Sequence, residues 1–434
     1  MGKPFLQSIM SLPLPASWDA LRKEAKEKIM ATQPPPPCSG DWQSDWDHLP
    51  SGAEFNAKPG RILGMLEPPN NWQFSPPETA HSRLLFTNGS LDADYSDISA
   101  IGGGRHFLPL NEVSAALPEI ADKIGKLARP SKSDWFTNLN NAHFSYGAVI
   151  YVPSGIQFEI PLHVIFESLG TGGSREEALL PRLLIVLEAG AKAHVVEEYW
   201  SIHPSCTSAV CEIFLGEGAS LKHDVIQREG ESAFHFRSMK AEIAKSASLS
   251  STILSFGAAK SRCDIEATLA GESAELELSG LATTTTGEYT DWAQTSETHS
   301  LIDHAAPNCT SRQAQKMILG GSSKGHFHGK ILVRSKAQGT DASQSSKNLL
   351  LSDKATIDAR PQLEILADDV KCGHGAAVGQ LDENELFYLQ SRGIDAALAK
   401  NMLLVGFAAE IIGRVGPPSL RDRLIEQVIR KGLF

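Results

Sequence analysis

The chain has 434 residues, 41% hydrophobic and 21% charged, so it is long enough to bury a large core. Its net charge of −11 argues against nucleic acid as the main partner, because phosphate neutralisation needs a basic surface. No apolar run approaches the ~20 residues of a membrane span, and the six cysteines have neither zinc-site nor disulfide-framework spacing. The N-terminal segment lacks the continuous apolar core of a secretory signal, so we expect a cytoplasmic protein.

The N-terminal region has a mixed, mostly helical and irregular character. Residues 18–29 carry apolar side chains at helical intervals, and residues 111–127 repeat this pattern. The segment between them is rich in proline, glycine, tryptophan and aspartate over 34–77, which predicts irregular structure. A strand within residues 84–89 ends in an Asn-Gly turn. We assign residues 1–135 to an N-terminal domain.

A fixed repeat follows, made of a small residue and a short alternating run. The runs begin after Ala191, Ala219, Ala247 and Ala274, at steps of 28, 28 and 27 residues. Another run begins after Ala355, 81 residues further on, which would fit two more coils of the same period. Such a period indicates a β-solenoid, in which each coil buries its apolar face against the next. A β-sandwich also has short strands separated by turns and is the alternative fold.

The solenoid core is assigned to residues 136–380, and the pattern beyond it is helical. Asp382 and Asp395 are predicted N-caps of two helices, and Ser419 of a third. The helices of residues 381–434 carry so much apolar surface that they must pack on something. They would either cap the end of the solenoid or bind a partner protein, and the residues alone favour neither interpretation.

Two short segments combine metal-ligating side chains. Cys372 and His374 are two residues apart, and in an extended strand they project from the same face. Thiolate and imidazole suit iron–sulfur clusters and transition metals, but a cluster normally needs four ligands, so the others would come from another subunit or a substrate. A buried cysteine beside a hydrogen-bonded histidine is the alternative. His326 and His328 also share a strand face and are weaker metal candidates, because a polar outer face explains them equally well.

Nucleotide and nucleophile motifs are absent from the sequence. There is no GxxxxGK[ST] and no GxSxG, so any ATP hydrolysis would have to come from another subunit. A β-solenoid could instead host a carbohydrate-active lyase or hydrolase. Neither a cleft with catalytic carboxylates nor an export signal is evident to support that alternative.

Three segments, residues 337–352, 360–379 and 386–393, resemble the SufB/SufD family of iron–sulfur cluster assembly proteins. The Cys-Gly-His-Gly sequence at 372–375 is more similar to the SufD branch than to the SufB branch. The resemblance implies a mainly β protein with a right-handed parallel β-helix core, flanked by an N-terminal α/β-helical region and a C-terminal helical domain.

The same resemblance implies a non-catalytic scaffold subunit of the SUF complex. It would pair with SufB through the β-helix, with His374 and the neighbouring Cys372 at the interface where iron enters and a transient cluster forms. ATP would act only through the ATPase SufC, docked on the C-terminal helices; the candidate docking residues are Phe387, Tyr388, Arg392, Met402 and Phe407. A flavin has been associated with such complexes, but no flavin motif is found. The isolated chain could form a homodimer, and a purely structural SufB partner is a further alternative.

Overall fold

The computed structural model describes residues 18–31, 76–101, 106–131, 134–169, 177–201, 203–285 and 293–432. The predicted irregular segment of residues 34–77 lies almost wholly outside these ranges. In the described part of the chain, no helix is long and apolar enough to cross a membrane.

The described strands form two ten-stranded sheets that wind together as a solenoid. Sheet 1 contains β1 (Arg83–Thr87), β2 (Ser90–Leu91), β5 (Leu162–Ser168), β8 (Lys192–Ser201), β10 (Ser220–Arg228), β12 (Ser248–Ser255), β14 (Glu275–Thr284), β16 (Thr310–Leu319), β18 (Thr340–Leu350) and β20 (Val370–Gly379). Sheet 2 contains β3 (Phe107–Pro109), β4 (Tyr146–Val152), β6 (Glu177–Leu179), β7 (Pro181–Leu187), β9 (Ser205–Leu215), β11 (Phe234–Ile243), β13 (Lys260–Leu269), β15 (Thr295–His304), β17 (Lys324–Val333) and β19 (Thr356–Ile365).

Helices flank the two sheets at both ends of the chain. They are α1 (Asp19–Ala31), α2 (Leu110–Ala116), α3 (Pro118–Ala121), α4 (Trp135–His143), α5 (Glu383–Ser391), α6 (Ala396–Ile412) and α7 (Pro418–Gly432). Short 3-10 turns occur at Pro77–Thr79 and Ser99–Ile101.

The solenoid arises because successive strands alternate between the sheets and pair in parallel with the strand one coil earlier. Ser220 of β10 pairs with Lys192 of β8 and with Ser248 of β12, so the repeat seen in the sequence is the register of sheet 1. The alanine before each of these strands is buried, where the backbone turns between coils. The predicted parallel solenoid with terminal helices is confirmed, and a β-sandwich is not what the chain forms.

The interpretation of Ala355 is wrong. Ala355 precedes β19 and therefore belongs to sheet 2, whereas the four earlier alanines precede strands of sheet 1. In sheet 1, Glu275 pairs with Thr310, a step of 35 residues, and Thr310 pairs with Asp341, a step of 31. The later coils are longer than the earlier ones, so the constant period ends after β14.

The main core lies between the sheets and is built from the inward-facing residues of each coil. Outward positions of sheet 1 are covered by α6 and α7, whose buried face packs against strands β8 to β18. These helices therefore cover the side of the solenoid, and among the described residues they leave its last coil open. The division at residues 135 and 380 stays a prediction, although β1 already hydrogen-bonds to β5 of the core.

Local predictions have mixed outcomes. The Asn-Gly turn after β1 forms, with φ of 48° at Asn88 and 80° at Gly89, and Asp382 and Asp395 cap α5 and α6 as expected. The helix predicted over 111–127 is broken by Pro118, which begins a separate short helix. Ser419 is not an N-cap: α7 begins at Pro418, and the Ser419 hydroxyl donates instead to Glu78 at 2.6 Å.

Glu167 of β5 should make stability depend on pH. Burial raises the pKa of its carboxyl to about 7, although a hydrogen bond from Thr87 (3.1 Å) opposes the shift. The folded state then holds this proton more tightly than the unfolded chain, whose glutamate pKa is about 4.3, so stability is lost as the pH rises between these values. We expect Glu167→Gln, which is neutral at every pH, to gain about 2 kcal/mol on the wild type between pH 5 and pH 8.

The measurement is chemical unfolding of both proteins at the two pH values. Glu277→Gln is the matched control, because the Glu277 side chain is 46% exposed. An equal change for the two variants would show that the Glu167 carboxyl does not carry the effect.

Candidate functional site

The last coil of the solenoid presents two unpaired strand edges. β20 is the terminal strand of sheet 1 and pairs with β18, while β19 ends sheet 2 and pairs with β17. Most side chains of both strands are exposed. An edge of this length offers a row of free N–H and C=O groups, which favours pairing with another chain.

Cys372 and His374 lie on β20, on the side that continues the interior of the solenoid. Cys372 is in register with Ala342 and His374 with Gln344, both buried inward-facing residues of β18. Cys372 is half-buried and packs against the main core, and burial raises the pKa of its thiol. His374 is exposed. The structure therefore brings the two candidates together on one strand face, with the thiol inward and the imidazole open to a partner.

Glycines make this strand unusually accessible. A side chain added at Gly373, Gly375 or Gly379 would meet no atom within 4 Å. Their neighbouring backbone can therefore be approached closely by another chain or by an inorganic ligand. What is present is a half-site: a thiol and an imidazole with open space around them.

Beneath His374 the solenoid interior is polar, a feature that the sequence reasoning missed. The Gln344 amide donates to Gln313 Oε1 at 2.7 Å, and the Gln313 amide donates to Ser300 at 2.8 Å. The alternation of Gln344 with Ala342, Ser346 and Asn348 could have revealed this inward polar column. Because Gln344 is in register with His374, the column leads directly to the candidate half-site.

His326 and His328 lie elsewhere. They project from the outer face of β17, since Phe327 between them points into the core. The structure does not bring them to Cys372 and His374, which face inward on the other sheet.

The candidate docking residues lie on α5 and α6. Phe387 is 71% exposed, Tyr388 57% and Met402 45%, and the Arg392 guanidinium lies 5.3 Å from the centre of the Tyr388 ring. Phe407 is only half-exposed, because its ring packs 4.6 Å from the Lys316 ammonium on sheet 1. Four of the five residues thus share an exposed region, while Phe407 also holds α6 against the solenoid.

A flavin would need a slot for its ring system and a contact for its phosphate. An interior cavity beside Arg237, Cys263 and Gln315 is bounded by opposing strands of both sheets, and Arg237 is already engaged by buried Glu197. These residues do not fit a flavin.

A family model described as "SUF system FeS cluster assembly, SufBD core domain" matches residues 170–407, more than half of the chain. The chain belongs to the SufBD family. The resemblance predicted from the sequence is thereby confirmed, and with it a place in iron–sulfur cluster assembly by the SUF system.

Individual relatives agree with the family assignment. An iron-sulfur cluster assembly SufBD family protein of Synechocystis is 33% identical over 359 residues, which is 80% of this chain and 77% of the relative. Protein ABCI7, chloroplastic, of Arabidopsis thaliana is 32% identical, over 82% of this chain and 74% of the relative. The iron-sulfur cluster assembly protein SufD of Escherichia coli is 28% identical, over 88% and 87%.

Proposed function

We propose that this SufBD-family chain is a SufD-like, non-catalytic scaffold subunit of a cytoplasmic SUF complex. Iron would enter at the open end of its solenoid, and a nascent cluster would form there with ligands supplied by SufB. The observation that carries the proposal is an incomplete ligand set, Cys372 and His374, on a strand whose outer edge is unpaired. A cluster normally needs four ligands, so a partner must complete the site.

The partner's mode of binding follows from the edge strands. A second solenoid could add its own last strands to β19 and β20, so that main-chain hydrogen bonds continue across the interface. The cluster ligands of both chains would then meet between the two solenoids. In the absence of SufB, the same edges could pair two copies of this chain.

Energy would come from the ATPase SufC, because this sequence has no nucleotide-binding motif. The exposed apolar residues of α5 and α6 would receive it. Since α6 packs directly on the outer face of sheet 1, movement of the docked ATPase can be transmitted to the strands that lead to the open end. SufC would thus change which state of the interface is populated.

His374→Ala tests the proposal in the co-expressed complex. We expect bound iron and acid-labile sulfide to fall at least about tenfold, as happens when even an outer metal-site contact is removed. His374→Cys, which restores a ligand, should recover part of the loss. His81→Ala is the control, because His81 is exposed and pairs only locally with Asp97.

The amounts of co-purifying partners distinguish this role from a purely structural one. They should be unchanged in His374→Ala, because the side chain is exposed. Normal iron and sulfide in His374→Ala would leave the chain as a structural partner of SufB.

A further inference from the structure

The outer face of sheet 2 carries a second group of metal-ligating side chains, separate from Cys372 and His374. The strand register places His326 between Glu297 of β15 and Asp358 of β19, and it places His328 beside His299 of β15. All five side chains face outward. Imidazoles and carboxylates from three adjacent coils therefore meet on one patch.

Three of these residues have the spacing of a shared ligand set. One ligand atom from each of His326, His328 and Asp358 lies within 4.8 Å of the others. Nε2 of His328 is 3.4 Å from Oδ2 of Asp358. That is long for a hydrogen bond, but two ligands bound at ~2.1 Å to one tetrahedral ion lie about 3.4 Å apart. Small side-chain rotations would bring His326 to the same distance.

His326 has a reason to accept such an ion. Its Nε2 atom is buried, and among the residues that the structure describes it has no hydrogen-bond partner. Burial also lowers the pKa of both His326 and His328, so that at neutral pH each ring is uncharged and retains a lone pair. An uncharged imidazole is the form that binds metals.

We propose that His326, His328 and Asp358 bind a divalent first-row transition-metal ion. Two imidazoles and one carboxylate with open positions suit Fe²⁺ or Zn²⁺, whereas Mg²⁺ and Ca²⁺ prefer oxygen ligands alone. The Asp358 side chain is 31% exposed, which gives the ion a path from solvent. The proposal concerns a site that is independent of the interface half-site.

Arg360 is the cationic neighbour that such an ion must accommodate. Its Nε donates to Asp358 Oδ1 at 2.8 Å, and a terminal nitrogen lies 2.8 Å from Oδ2. The first contact can orient the carboxylate while Oδ2 binds metal, and the second would be given up. Glu297, 3.3 Å from His299, adds negative charge nearby, and it is balanced in part by Arg262 at 3.9 Å.

The buried group Glu197, Cys211 and His223 also has ligand spacing but does not support the same inference. Arg237 already neutralises Glu197, and burial raises the pKa of the Cys211 thiol well above its ordinary value. A protonated thiol is a poor ligand.

The test is an anaerobic titration of the full-length chain with Co²⁺, followed by visible absorption, and then competition with Zn²⁺. We expect one equivalent of Co²⁺ with ligand-field bands and no thiolate charge-transfer band, since the proposed ligands contain no sulfur. His326→Ala and His328→Ala should each weaken binding at least about tenfold, and Asp358→Asn should do so as well. His328→Gln guards against loss of packing, and melting curves check that every variant is folded.

His81→Ala and His374→Ala are the controls and should leave Co²⁺ binding unchanged. The proposal is overturned if no equivalent binds, or if binding survives the His326 and His328 substitutions. It is also overturned if a thiolate band appears and binding is lost in His374→Ala, because the metal would then occupy the interface half-site.

Discussion

Replacing Glu212 by alanine should lower the free energy of unfolding by about 3–5 kcal/mol, because it leaves a buried guanidinium without its counter-ion. Glu212 of β9 and Arg182 of β7 form an ion pair in which both side chains are 0% exposed. Burial alone would raise the pKa of the Glu212 carboxyl. The Arg182 charge and hydrogen bonds from the backbone of Ala128 and Gly125 nevertheless hold that pKa below its usual range.

The same carboxylate fastens the N-terminal region to the first coils. It accepts hydrogen bonds from the backbone N–H groups of Gly125 (2.8 Å), Leu127 (2.9 Å) and Ala128 (3.0 Å). Arg182 in turn donates to Asn140 of α4 at 3.2 Å. Loss of Glu212 would therefore strand one buried charge and several buried N–H groups, and each unsatisfied group adds to the cost.

Denaturant unfolding measures this effect, with variants compared at equal m-values. Glu364→Ala is the matched control, because Glu364 pairs with Lys330 but both side chains are more than 40% exposed. Exposed pairs contribute at most about 1 kcal/mol. Glu212→Gln should lose less than Glu212→Ala, since its carbonyl oxygen still accepts from the backbone. A loss for Glu212→Ala no larger than that of the control would contradict the prediction.

The sequence was informative wherever structure depends on a short period. Strand alternation placed Cys372 and His374 on one face, and the 28-residue step between Ala191 and Ala219 revealed the register of the early coils. Both follow from local geometry: side chains alternate along a strand, and stacked coils repeat.

Contacts between coils were not predictable in the same way. Arg182 and Glu212 are 30 residues apart, and His326 and Asp358 are 32 apart; whether such residues meet depends on the length of each intervening coil. The coils lengthen after β14, which is also why the interpretation of Ala355 failed. The sequence alone could not show which histidine would find a carboxylate one coil away.

The double substitution Phe387→Glu/Tyr388→Glu should weaken binding of the proposed ATPase partner at least about 100-fold. Exposed aromatic side chains are frequent hot spots of protein interfaces, each contributing about 2 kcal/mol or more, and two new carboxylates would also have to be desolvated. The folded chain should tolerate the change, because α5 buries none of its residues. This separates docking from stability.

Deleting residues 381–434 is a less informative experiment. It would also remove α6 and α7, whose buried side chains Leu404, Ile411 and Leu424 cover the apolar outer face of sheet 1. The truncated chain would expose residues such as Ile226 and Leu281 and is expected to aggregate. Loss of ATPase binding by that chain could then reflect misfolding alone.

Affinity for the purified ATPase, measured by calorimetry or pull-down, decides the question. Ile156→Glu is the matched control: it places the same charge on an exposed apolar residue, 42% accessible, in the loop after β4. Met402→Glu, on the neighbouring helix α6, should give a smaller loss in the same direction if the docking surface extends across both helices. Undiminished binding by the Phe387→Glu/Tyr388→Glu variant, with normal melting behaviour, would move the docking surface away from α5 and leave these aromatic residues to another partner.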